Sequence, residues 1–235
     1  MSESHEWNEY AEGYDNKIFS LTKSPKRRKD ILGAIQPGLI LNLGAGSTNY
    51  LNRDLIAQGY VVIASDFCKK MLEVASRSFT HPNLRYVVTD SRSLVFPSGM
   101  FDTVVTANSI LPRERKDVAK MFQESFRVLK QGGLFVAFLT SFENARVWVE
   151  ELGEKARLDY KDLRYCDESD ETGWQCYHTE ESIRRELEEV GANNIVIKRV
   201  LLDSPEEIAE MHRIYKVDTS DTPVYEHFVT AWKNQ

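Results

Sequence analysis

Apolar residues along this chain follow two periods, and the places where one gives way to the other mark out its elements. Five short runs read as strands: Leu39–Leu43, Tyr60–Ser65, Leu84–Val88, Phe101–Ala107 and Leu134–Leu139. Between them, apolar residues recur every three or four positions, as on one face of a helix. One such segment carries Leu51, Leu55 and Ile56 and ends near Gly59, and a second carries Met71, Leu72 and Ala75. A third has the cleanest period, with Val118, Met121, Phe122, Phe126 and Leu129. It runs into Lys130-Gln131-Gly132-Gly133, a basic last turn followed by glycine, which predicts a helix stop. Short strands, apolar on both faces and separated by helices, predict a parallel sheet covered on both sides.

The flanks read differently. Trp7, Tyr10, Tyr14 and Ile18 fall at helical spacing and form an aromatic stripe. Ser24-Pro25 opens a second helix that buries Ile31, Leu32 and Ile35 and stops at Pro37-Gly38. From Phe142 to Cys176 the chain is charged and aromatic, which predicts helix plus irregular structure laid over the sheet. Regular pattern returns with a helix capped by Thr179 and ended by Gly191, burying Ile183, Leu187 and Val190. A sixth strand over Asn194–Leu202, a helix from Ser204-Pro205 to about Tyr215, and a last strand over Glu226–Lys233 complete the reading.

Composition narrows the function. At 235 residues, with no repeat and no linker-like tract, one domain is expected. Its helical cap would span about 1–36 and its insertion or lid about 142–178. The net charge of -6 disfavours a general nucleic-acid surface. The basic run Lys23, Lys26, Arg27, Arg28 and Lys29 has no interleaved aromatics and reads as a solvated helix start. Three cysteines without paired spacing argue against a disulfide framework, and Cys68 and Cys176 read as small hydrophobes. Scattered histidines give no metal-site spacing. No apolar run is long enough for a bilayer, and the polar, acidic opening is unlike a signal peptide. A cytoplasmic protein, monomer or homodimer, with no metal and no membrane partner, is expected.

The chemistry concentrates at Leu41-Asn42-Leu43-Gly44-Ala45-Gly46-Ser47-Thr48, where the first strand breaks at two glycines one residue apart. Glycine lets the backbone approach a ligand where a Cβ would collide. Asp66 closes the next strand, and an acid there accepts hydrogen bonds from ribose hydroxyls in nucleoside-binding α/β sheets.

Four pieces together resemble a class I S-adenosylmethionine-dependent methyltransferase. They are the glycine loop; Ser65-Asp66-Phe67-Cys68-Lys69-Lys70-Met71-Leu72; Val88-Thr89-Asp90-Ser91 followed by Phe101-Asp102-Thr103-Val104-Val105; and Arg127-Val128-Leu129-Lys130-Gln131-Gly132-Gly133-Leu134. The likeness is strong over about 31–133 and extends in outline over 179–232. It implies a three-layer αβα, doubly wound, seven-stranded sheet, mostly parallel with an antiparallel last strand. It also implies S-adenosyl-L-methionine as cofactor, lying across the carboxyl ends of strands one to four. By this resemblance Gly44, Ala45 and Gly46 face the amino-acid portion and ribose. Asp66 takes the ribose hydroxyls, Phe67 beside it also contacts the cofactor, Asp90 accepts from the adenine amino group with Ser91 nearby, and Asn108 with Ser109 lines the sulfonium end. Tyr10 and Tyr14 lie on a closing helix. Asn42 stands where the family usually has an acid, and Thr48 where it has a third glycine. Asn42 would therefore orient the methionine ammonium without charge assistance.

A sulfonium methyl is already electrophilic, so the protein's main task would be alignment and water exclusion. A base is needed only for a protonated acceptor. His178 is the first candidate because it titrates near neutrality when unperturbed, and Tyr177, Asp170 and Glu171 are the others. Trp148 and Trp174 read as substrate walls or as packing within the insertion. The leading function is methyl transfer to a small-molecule acceptor. A degenerate fold that binds a partner protein through 142–176 is the alternative, motivated by Asn42 and Thr48. A nicotinamide-dependent oxidoreductase is weaker, because Asn49 stands where its fingerprint wants glycine.

Overall fold

The computed structural model describes residues 3–168, 173–215 and 224–234. The N-terminal segment forms α1 (Glu3–Ala11) and α2 (Tyr14–Lys17), separated by Gly13 in left-handed conformation, so the aromatic stripe lies on two short helices. α3 (Pro25–Ala34) follows, with proline in its first turn. Then come β1 (Leu39–Leu43), α4 (Tyr50–Ala57), β2 (Val61–Asp66), α5 (Lys69–Ser78), β3 (Leu84–Val88), β4 (Phe101–Ala107), α6 (Arg115–Val128) and β5 (Leu129–Thr140).

β5 begins at the end of α6, earlier than the glycine pair predicts. Phe101 pairs with Leu129 and Thr103 with Leu134, so β5 bulges outward between the two pairings. Gly132 sits in that bulge at φ 70°, which lets the strand absorb the extra residues.

The insertion contains more regular structure than its composition suggests. α7 (Phe142–Leu152) leads to β6 (Ala156–Asp159), β7 (Arg164–Asp167) and β8 (Gln175–Cys176), a small antiparallel sheet. α8 (Glu180–Glu189), with Thr179 and Ser182 forming a capping box, leads to β9 (Ala192–Leu201), α9 (Pro205–Tyr215) and β10 (Tyr225–Lys233).

The main sheet has the order β3-β2-β1-β4-β5-β10-β9, and β10 runs antiparallel to both neighbours. Strand order reverses at β1, the place where open α/β sheets bind ligands. Alternation along β1 splits the core. Leu41 and Leu43 join Val118, Phe122, Ile183 and Leu187 on one face, while Ile40 joins Ile31, Leu51 and Leu55 on the other. Two side chains tie the flanks to this frame. Arg27 on α3 is fully buried and donates from Nε (2.7 Å) and from a terminal nitrogen (3.0 Å) to Glu207 on α9. Asn144 on α7 donates to the Tyr225 carbonyl (2.6 Å) and accepts from its N–H (3.0 Å), fixing the start of β10. No helix among the described residues is long and apolar enough to cross a membrane.

Candidate active site

The turn after β1 is shaped by close approach. Gly44 sits at φ 68°, and a Cβ there would lie 2.2 Å from the Ser109 Cβ. Ser109 is held in turn by its hydroxyl, which donates to the Leu43 carbonyl (2.9 Å). Gly46, at φ 63°, has nothing within 4 Å of a Cβ position, so bare backbone faces open space. Asp66 braces this loop from the end of β2. It accepts from the N–H of Gly46 (3.0 Å) and of Cys68 (2.9 Å). Burial pushes its carboxyl up to about 6, against the pull of the Cys68, Gly46 and Phe67 N–H groups.

These groups line a crevice at the carboxyl ends of the strands. Of the sequence-derived residues, Tyr14, Gly44, Gly46, Asp66, Phe67, Asp90, Ser91 and Asn108 line it. Asn42 and Ala45 do not. They line a smaller hollow beside the same loop, together with Thr48, and the Asn42 amide donates to the Asn52 side chain (2.9 Å). Asn52 donates in turn to Asn49 (3.0 Å), so Asn42 heads a buried chain of amides.

Arg92 was not marked by the sequence. It grips Asp90 through Nε (2.9 and 3.0 Å) and a terminal nitrogen (2.7 Å). Burial raises Asp90, but the hydrogen bonds and charge of Arg92 outweigh it and hold the carboxyl below its usual range. Much of the accepting capacity of Asp90 is therefore already engaged. A basic residue two positions after an acid is common in turns, so no sequence signal singled out Arg92.

A second cavity adjoins the first and shares Trp7, Tyr14, Asn108 and Leu111 with it. Phe19, Trp148, Tyr165, Tyr177 and Tyr215 supply aromatic walls, and Glu226 from β10 reaches it. Trp148 lies against Tyr215, whereas Trp174 packs under Arg164. Asn108 stands between the cavities at φ 50°, a left-handed conformation that asparagine tolerates.

His178 does not fit the expected role of general base. It is fully buried, lines neither cavity, and faces the Ile110 carbonyl through Nε2 (2.8 Å). Burial, with the nearby Arg115 charge, lowers it to about 3, so the ring is neutral at physiological pH. Asp170 and Glu171 lie outside the described residues. Cys68 and Cys176 are buried thiols, and burial pushes Cys176 up to about 11.

Comparisons with known proteins bear on the fold that carries this crevice. Residues 41–137 match the methyltransferase domain family. The demethylmenaquinone methyltransferase of Lactococcus lactis is 31% identical over 124 residues, 51% of this chain and 47% of the relative. The chain thus spans about half the length of that curated relative. Among solved structures, phosphoethanolamine N-methyltransferase 2 of Haemonchus contortus in complex with S-adenosyl-L-methionine superposes with TM-score 0.67 at 19% identity. That match covers 96% of this chain and 56% of the other. A methyltransferase from Methanosarcina mazei gives TM-score 0.62 at 18% identity, covering 87% and 97%. This is the class I S-adenosylmethionine-dependent methyltransferase fold.

The residues present suit the cofactor of that methyltransferase fold. The bare Gly46 backbone leaves open space beside it, and Asp66, which braces that backbone, also lines the crevice. Leu43, Met71, Leu111 and Met121 give the crevice an apolar lining that the motifs alone did not mark.

Proposed function

We propose that this protein is an S-adenosylmethionine-dependent methyltransferase acting on a small-molecule acceptor. The observation that carries the reading is the pair of adjoining cavities: one bordered by the glycine loop and Asp66, the other walled by aromatics, with Asn108 between them. When bound, the cofactor supplies an electrophilic methyl group. Gly44, Gly46 and Asp66 would hold it, with Asp90 and Ser91 toward its base. The chain's own contribution is orientation and exclusion of water, which can account for much of the acceleration in a direct displacement. Tyr14 would close over the crevice; burial first, then the Tyr215, Asp66 and Asp15 charges, raise its phenol far above the ordinary value and keep it neutral.

The acceptor is enclosed rather than polymeric. The second cavity is lined by both aromatic and polar side chains, and its aromatic walls suit a ring or apolar body. The quinone precursors named for the curated relatives have bodies of that kind. Calorimetric titration tests the donor side: S-adenosylhomocysteine binds at one site and NAD gives no heat. The reverse result would move the protein to the oxidoreductases. Transfer of labelled methyl into the small-molecule fraction of a cell extract, and not into its protein or RNA, tests the acceptor side.

A further inference from the structure

We propose that the second cavity recognises an amine: its occupant has an apolar or aromatic body and an N–H-bearing nitrogen received by Glu226 and Asn108. This deepens, and rests on, the methyltransferase reading above.

Glu226 is 4% exposed, yet it lines the cavity, and its Oε2 has no hydrogen-bond partner. Asn108 Oδ1, at the boundary between the cavities, is also buried without a partner. A buried polar atom left unpaired is costly; Asn108 Oδ1 can only accept, and Glu226 Oε2 accepts once its carboxyl is ionised. A single cationic N–H group on the occupant would complete both, drawing the proton off Glu226. Burial raises the Glu226 carboxyl well above its usual range, opposed by hydrogen bonding from Asn108 and the charge of Arg27. A cation arriving beside it would lower it again.

The rest of the lining points the same way. Asp167 is a second carboxylate there, and among the described lining residues none is Lys, Arg or His. Arg27, whose charge reaches Glu226, does not line the cavity and is paired with Glu207. A phosphate or carboxylate on the occupant would find no counter-charge. Trp148, Tyr165, Tyr177 and Tyr215 make the lining aromatic, and aromatic rings attract an organic cation.

The geometry that holds Glu226 is itself built. Asn144 clamps both backbone groups of Tyr225, the preceding residue. Glu226 is in register with Thr140 of β5, which lines the same cavity.

Titration calorimetry of the protein saturated with S-adenosylhomocysteine tests this, using three probes of similar size. They are 2-phenylethylamine, 4-phenylbutan-2-one (neutral, no donor) and 3-phenylpropanoate (anionic). The amine is expected to bind at least about tenfold more tightly than either other probe. Glu226→Gln should abolish that preference while S-adenosylhomocysteine affinity is retained. Equal or better binding of the ketone or the anion by wild type, an absence of saturable amine binding, or an amine preference that survives Glu226→Gln would each overturn the proposal. The wild-type comparison stands even where the variant folds poorly. If S-adenosylhomocysteine itself does not bind, the donor-site reading falls; the probe comparison, run on the unliganded protein, is judged by the same outcomes.

Discussion

At the scale of single residues, Gly44 and Gly46 share a conformation but are constrained by different surroundings. Gly44→Ala drives a methyl into Ser109 and is expected to destabilise the fold, by more than the ~1–2 kcal/mol of left-handed backbone alone. Gly46→Ala should cost stability on that smaller scale and act mainly on S-adenosylhomocysteine affinity, because its methyl enters the crevice. Paired denaturation and binding curves separate the two. Asp66→Ala should weaken the same ligand by about 1–3 kcal/mol, the scale of a lost charged hydrogen bond. Asp66 also leaves a mark on the ligand-free protein. Its folded carboxyl holds a proton to about pH 6 and its unfolded one to about 3.8. Between those values the folded state binds more protons, so this group's contribution to stability is full at lower pH, falls across the window and is flat above it. The difference in unfolding free energy between wild type and Asp66→Ala should shrink accordingly from pH 4 to pH 6. The glycines and this acid were legible in the sequence because a strand end with a fixed spacing brings them together. Glu226 was not: it lies 160 residues beyond Asp66 and enters the cavity only because β10 pairs with β5. His178 misled because a histidine near neutrality is a base only where water or substrate reaches it, and burial removed both.

At the scale of elements, periodicity located the parallel strands almost to the residue, since each is a short buried run between helices. It was less informative for β5, whose bulge hides Leu129 inside a helical pattern, and for the insertion, whose short strands alternate too briefly to register. What holds these elements in place is also polar. Arg27→Ala leaves Glu207 buried and uncompensated between α3 and α9 and should cost about 3–5 kcal/mol in urea unfolding. The double replacement Arg27→Met with Glu207→Leu should be much milder, because no charge is then stranded. Asn144→Ala strips both partners from the Tyr225 backbone, with an expected loss of about 1–3 kcal/mol and faster hydrogen exchange at the Tyr225 amide.

At the scale of the molecule, the donor crevice and the aromatic cavity are two compartments divided by Asn108. A ligand bound only by the folded chain stabilises it by mass action. S-adenosylhomocysteine at a hundredfold excess over its dissociation constant should add about 2.7 kcal/mol. For a chain of this length that raises the thermal midpoint by roughly 5–10 °C. Scanning fluorimetry reads this directly, with NAD leaving the midpoint unchanged. The two compartments also differ in their place along the polypeptide. Apart from Trp7 and Tyr14, the crevice lining runs from Leu43 to Met121, whereas the aromatic cavity draws on residues from Trp7 to Glu226. During synthesis, then, most of the segment that lines the crevice emerges well before the last wall of the neighbouring chamber. A growing chain arrested ahead of Tyr225 would carry the glycine loop and Asp167 but not Glu226, so under the proposed reading the group that selects the acceptor is the last to arrive.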